Sequence, residues 1–155
     1  MRSFINLLIS VILAWSLLLA YSCTPGACFD ETTAYMKASM FLDSTQKLTA
    51  PDSLSLWGAG RDTAKIYNKQ KSLKQAFIPL DASSESCSFV IGINGIYDTL
   101  TVWYSTFPHI ISKECGYTFY HNIDSIHPSN HKIIKIIITK NSVTTLNEEN
   151  IRIYY

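Results

Sequence analysis

The chain is poor in surplus charge, in glycine and in recognisable catalytic spacings. Its 155 residues carry 13 Lys and Arg against 12 Asp and Glu, with only 16% charged residues. Without Arg2, which falls in a segment expected to be removed, the side-chain charges balance. A neutral domain has no electrostatic footprint for a phosphate backbone, so nucleic-acid binding is excluded as a main role. There are 6 glycines, and only Gly58-Ala59-Gly60-Arg61-Asp62 makes a glycine-rich turn. A dinucleotide loop needs a third glycine where Thr63 stands. Gly-x-Ser-x-Gly and Cys-x-x-Cys are both missing, which removes the common signatures of a serine-hydrolase elbow and a redox pair. His127 and His131 have a metal-ligand spacing, but Pro128 lies between them and denies them the helix that would bring both rings to one ion. No cofactor and no metal is expected.

What the chain does have begins at its N-terminus. Arg2 precedes an apolar run from Phe4 to Ala20, interrupted by Asn6, Ser10 and Ser16, and Tyr21-Ser22-Cys23 follows. A positive start, an apolar segment and small residues before a cut form an export signal. The stretch resembles a lipoprotein signal, which implies cleavage before Cys23 and lipidation of its thiol. Residues 1–22 are thus expected to be a signal peptide, 23–33 a lipid-anchored tether containing Pro25 and Gly26, and 34–155 the folded domain. The 133 residues left after cleavage suffice for one core. An uncleaved membrane anchor is the alternative.

Beyond Cys23 lie Cys28, Cys87 and Cys115, in a compartment where disulfides persist. Three thiols make one bridge and leave one spare. Cys87 shares the inward phase of Phe89, Ile91 and Ile93 and is expected to be a buried free thiol. Cys28 lies soon after Cys23 and Cys115 precedes a strand at Gly116, so Cys28–Cys115 is the expected bridge, although spacing alone leaves the other pairings open.

Strand signals recur at short intervals. They fall at Tyr35–Leu42, Ser53–Trp57, Gln75–Leu80, Ser86–Ile93, Thr99–Tyr104, Gly116–His121, Lys132–Thr139 and Ile151–Tyr155, with Asp43–Asp52 as a loop. Asn94-Gly95 between two alternating runs marks a two-residue hairpin, and Asn68–Ser72 reads as another turn. Ile133, Ile134, Ile136, Ile137 and Ile138 are apolar on both faces, as in a central strand. About eight short strands without an amphipathic helix predict an all-β fold, an antiparallel, immunoglobulin-like β-sandwich. A small barrel is the alternative.

Several residue groups are candidates for function. Arg61, Lys65, Lys69, Lys71 and Lys74 form a basic cluster, most simply solvated or edge-protecting. His109, His121, His127 and His131, with Asp124, are the available ligands or bases, expected to be ordinary loop and surface histidines. Trp57, Trp103, Tyr104, Tyr154 and Tyr155 would make an aromatic platform if exposed, but at strand spacing such rings are more often core. Five of the seven aspartates after Cys23 are followed by Ser or Thr, against about one or two expected from the abundance of those residues. The pairs resemble the Asp-Ser/Thr-aliphatic acceptor motif of the general O-glycosylation system of Bacteroidetes, which implies Ser44, Ser53, Thr63, Thr99 and Ser125 as glycan acceptors. Turn chemistry at strand ends would give the same pairs.

Ile78-Pro79-Leu80, Asp98-Thr99-Leu100-Thr101-Val102, Ser112–Tyr117 ending in Cys115-Gly116-Tyr117, and Asn150-Ile151-Arg152-Ile153-Tyr154, following a lipoprotein signal and Cys28, resemble an uncharacterised family of short Bacteroidetes lipoproteins. The resemblance implies an all-β domain at the cell envelope and adds weight to the Cys28–Cys115 bridge, but transfers no active site. The expectation is a non-catalytic binding or assembly module. It would be held on the membrane by its N-terminal lipid, as an outer-membrane lipoprotein facing the periplasm, with an envelope protein or glycan as partner. An envelope hydrolase or glycan-binding protein using the His and aromatic residues of the C-terminal half is the alternative. The hydrolase requires Ser, His and Asp to converge.

Overall fold

A computed structural model describes residues 28–146 and 148–155; the expected signal peptide, the expected lipidation site Cys23 and the start of the expected tether lie outside them. The described residues contain eleven strands: β1 (Tyr35–Leu42), β2 (Lys47–Leu48), β3 (Leu54–Gly58), β4 (Lys65–Gln70), β5 (Gln75–Pro79), β6 (Ser86–Ile93), β7 (Ile96–Ser112), β8 (Gly116–Pro128), β9 (Lys135–Ile138), β10 (Ser142–Val143) and β11 (Ile151–Tyr154). They form two sheets. One has the order β2-β1-β11-β9, with β5 also on β1; the other is β10-β8-β7-β6-β3-β4.

Period-2 alternation decides what lies between the sheets. Met36, Ala38 and Met40 of β1 and Ile151 and Ile153 of β11 meet Leu54, Leu56, Ile91, Ile93, Leu100, Val102, Tyr104 and Ile123, all buried. Each fully buried large side chain contributes roughly 1.5–3 kcal/mol. The all-β expectation holds, and the Asn94-Gly95 hairpin is where the pattern placed it. Asn94 and Gly95 both have positive φ, 52° and 85°, and the strands pair from Ile93 with Ile96 to Ser86 with Trp103.

Five expectations need correction. The sheets are not wholly antiparallel, because β1 and β11 pair in parallel, Ala38 with Ile151 through Phe41 with Tyr154. The isoleucine run is not central: β9 borders only β11 and forms a sheet edge, leaving Ile134 and Ile137 exposed while Ile133 fills the core. The turn read at Asn68–Ser72 comes later, since β4 continues to Gln70 along β3. Asp43–Asp52 is interrupted by β2. Strands β7 and β8 are far longer than their alternating cores suggested, at 17 and 13 residues.

Among the described glycines, Gly92 has the least room for a side chain. A Cβ there would lie 2.6 Å from Tyr97 Cε1 and 2.8 Å from Cδ1, because the Tyr97 ring lies over its cross-strand partner. Tyr97 is half exposed and can swing outward, but then it loses its edge contact with Trp57, 5.7 Å between ring centroids. Gly92→Ala is expected to cost about 1 kcal/mol, read as a lower urea midpoint with a changed near-ultraviolet aromatic signal. An unchanged signal would show that the ring had not moved.

Candidate functional site

An open groove of about 750 Å³ lies along β1, β4 and β5. Its floor follows from the phase of β1. Residues Met36, Ala38 and Met40 point into the core, so Tyr35 and Lys37 face the other way. Strand β5 pairs antiparallel with β1, bringing Pro79 opposite Tyr35 and Phe77 opposite Lys37. The Tyr35 and Phe77 rings meet edge to face at 6.2 Å, and the Lys37 ammonium lies 5.1 Å from the Phe77 ring centre. Both rings remain 40% and 38% exposed. A cation held over an aromatic face is itself stabilising, and more so when partly desolvated.

Two further contacts fix the groove's walls. Tyr67 of β4 accepts the Phe77 backbone N–H at 3.0 Å, bridging the two sheets where β4 and β5 approach. On the other side Asn150 accepts the Lys37 N–H at 2.9 Å, and its amide donates to the carbonyls of Lys140 and Ser142. This positions the segment carrying Thr144, Thr145, Leu146 and Glu148 along the groove. The exposed Ile66 and Leu146 supply apolar rim, while Glu31 and Glu148 supply negative charge. Such a surface has a mainly apolar floor with a few polar groups at its edge, as ligand-binding concavities do.

A second hollow of about 450 Å³ adjoins it, sharing Ile66 and Pro79 and containing Cys87. Cys87 is only half-buried, a correction to the expectation of full burial. Its sulfur lies 2.8 Å from the Tyr104 hydroxyl. That hydroxyl donates its one proton to the Asp81 carbonyl and accepts the Asp81 N–H, so the Cys87 thiol is the donor in their contact. Burial drives the Tyr104 pKa strongly up, and the Cys87 contact adds to it. The network pins the β5–β6 connection to the core.

The four histidines do not gather. His109 stacks on Tyr120 with centroids 4.1 Å apart. His121 is buried, with Nδ1 2.9 Å from Thr106 Oγ1; burial lowers its pKa, opposed by the charge of Asp81. His127 packs edge-on to Trp103. Among the described residues, no three His, Cys, Asp or Glu side chains converge as metal ligands. Of the aromatic platform, Tyr104, Tyr154 and Tyr155 are buried; Trp103 is exposed and Trp57 half-buried. The groove's exposed ring pair belongs instead to Tyr35 and Phe77, whose proximity depends on strands distant in sequence.

Ser129, His131 and Asp98 do converge, in a geometry unlike a hydrolytic triad. Ser129 Oγ donates to Asp98 Oδ1 at 2.8 Å, and His131 Nδ1 faces the same serine oxygen at 2.9 Å and the same carboxylate at 3.2 Å. In a triad the serine proton passes to one imidazole nitrogen while the carboxylate holds the other. Here Ser129 and Asp98 compete for one nitrogen, and the serine O–H already donates to Asp98, away from the imidazole. The carboxylate also accepts the backbone N–H groups of His131, Lys132 and Ile133 at 2.6, 2.8 and 2.9 Å. Burial pushes its pKa up, and these donors outweigh that, holding it at about 2. Asp98 is a clamp on the loop between β8 and β9.

The candidate acceptors divide by environment. Ser44 and Thr63 sit exposed in turns, where Asp43 accepts from Gln46 and Asp62 from Trp57. Ser53 precedes β3 and donates its backbone N–H to Asn94. Thr99 and Ser125 lie within strands paired to Val90 and Trp103. The basic cluster spreads along the edge strand β4 and its two turns. The expected Cys28–Cys115 bridge is present, with Cα atoms 4.8 Å apart.

None of the curated proteins matches the chain, and none of the solved structures does. Residues 53–155 match the model of a family of unknown function, DUF6452. That range begins just before β3 and contains the groove's β4, β5 and C-terminal walls, while β1 and Cys28 precede it. With about two thirds of its length matched, the chain belongs to this family of unknown function.

Proposed function

We propose that the protein is a non-catalytic binding module of the cell envelope, lipid-anchored through Cys23, facing the periplasm, and that its ligand is a segment of an envelope protein seated in the groove. The observation carrying this reading is the Tyr35–Phe77 pair. Two large rings stay exposed side by side in a concave surface of about 750 Å³, although the fold has a core that similar rings occupy. Aromatic anchors in a partly apolar concavity are where binding energy concentrates. The disulfide supports an oxidising compartment. Ser44 and Thr63, exposed in turns, are the acceptors best suited to carry glycan; Ser53, Thr99 and Ser125 are held closer to strand backbones.

The test places a photo-crosslinking benzoylphenylalanine at Phe77 in intact cells, with the same group at the exposed Ile137 as control. A discrete protein adduct is expected from position 77 alone, reduced at least tenfold by Tyr35→Ala. A glycan adduct would replace the partner class. No adduct, or the same adduct from both positions, would remove the groove as the binding site.

A further inference from the structure

The far end of the β7–β8 hairpin continues the inward phase of the core beyond the point where the opposite sheet covers it. Tyr104 pairs with Ile123 and Thr106 with His121, both on the buried face; two and four residues on, Pro108 pairs with Phe119 and Ile110 with Tyr117. Tyr104 and Ile123 are fully buried, whereas Phe119 is 40%, Tyr117 67% and Ile110 76% exposed. Tyr117 and Phe119 meet edge to face at 5.7 Å. Phe29, 93% exposed, is brought to the same end because Cys28 is bonded to Cys115 at the hairpin's turn and Thr118 donates to the Thr32 carbonyl.

We propose that this tip is a foot that inserts into the headgroup–acyl boundary of the lipid bilayer, and that it sets the orientation of the domain on the membrane. The inference rests on lipidation of Cys23. Cys28 lies five positions after Cys23, so a trans chain places their Cα atoms at most about 18 Å apart. The disulfide transfers that limit to the hairpin turn. A lipid on Cys23 therefore holds Phe29, Ile110 and Tyr117 within reach of the interface, where aromatic rings partition favourably. Side chains of this kind inserted to shallow depth, next to an acyl anchor, give two membrane attachments. Lys113 and Glu114 in the turn balance each other, while Asp30, with a carboxylate oxygen 3.8 Å from Cys115 Sγ, and the neighbouring Glu31 add negative charge beside the tip, so its apolar side chains and not an attraction to anionic lipid would drive insertion.

The experiment uses the full-length chain, expressed in a host that processes envelope lipoproteins and reconstituted into vesicles of phosphatidylethanolamine and phosphatidylglycerol with brominated acyl chains. Ile110→Trp reports the foot. Lys71→Trp, at the opposite end of β7 and roughly 45 Å away by strand rise, is the control. Relative to the parent chain, the Ile110→Trp signal is expected to shift to shorter wavelength and to be quenched at least threefold more than Lys71→Trp. The selectivity should fall in Cys28→Ser/Cys115→Ser. Intact mass and vesicle flotation report the anchor separately. An acylated, floating protein in which both tryptophans are equally unquenched overturns the foot and leaves the anchor standing. An unacylated protein with selective quenching supports the foot and overturns the anchor. A shift without quenching, accompanied by a doubled mass in solution, assigns the patch to a second copy and overturns the proposal.

Discussion

Asp98→Ala is expected to destabilise the domain by about 3 kcal/mol at neutral pH, the largest effect of any single polar substitution here. The loss strands three backbone donors at the β8–β9 loop, one of them on the buried Ile133, and each unsatisfied buried group costs roughly 1–3 kcal/mol. Asp98→Asn should cost less, since one oxygen still accepts. The pH dependence separates charge from shape. The folded pKa of about 2 lies below the ordinary aspartate value of 3.8, so the unfolded chain binds the proton more readily. The resulting stability is present above about pH 5 and is lost as the pH falls toward 2. It amounts to about 2 kcal/mol at pH 7, with roughly half left at pH 3. Urea midpoints for the parent and Asp98→Asn should therefore converge on acidification. Parallel midpoints across that range would show that the carboxylate's charge contributes nothing.

Reduction of the Cys28–Cys115 bond is expected to cost about 3 kcal/mol. The bond spans 87 positions, for which chain entropy predicts roughly 4–5 kcal/mol. Fraying of the exposed residues 28–33 in the reduced protein returns part of that to the folded state. Urea titrations of the parent with and without reductant, beside Cys28→Ser/Cys115→Ser, check the figure. The double variant should match the reduced parent and ignore reductant. A parent equally stable in both conditions would mean that the bridge organises the hairpin tip without stabilising the fold.

Local pattern made some of this architecture legible and left the rest hidden for identifiable reasons. Asn94-Gly95 between alternating runs specifies a hairpin because both residues tolerate positive φ, and the register follows from the turn. The isoleucines from Ile133 to Ile138 mislead because apolar residues on both faces signal a strand with neighbours on each side; here Ile137 lies opposite Arg152 on an open edge. The Tyr35–Phe77 groove needs the pairing of β1 with β5, and no feature near either residue announces it. Asp98 looks like ordinary turn chemistry before Thr99. Its clamp on Ser129 to Ile133 becomes visible only when residues more than thirty positions away fold back onto it. The Cys28–Cys115 bond was legible by position, and the hairpin tip it fixes was not, because the alternation at Thr99–Tyr104 gave no sign that β7 runs on to Ser112.

The parallel seam between β1 and β11 also governs when the domain can close. Strand β11 lies inside its sheet, between β1 and β9, and its partners on β1 are 113 positions earlier. Until Ile151–Tyr154 is available, Met36, Ala38 and Met40 belong to a strand with one bare edge, and β9 has no sheet to join. Contacts so distant in sequence form slowly. A chain stalled or clipped before Ile151 presents an apolar, unpaired edge to any neighbour with a strand to offer. Ile151–Tyr154 thus acts as the latch of the domain, and quality control of this protein is a question of whether that strand has been seated.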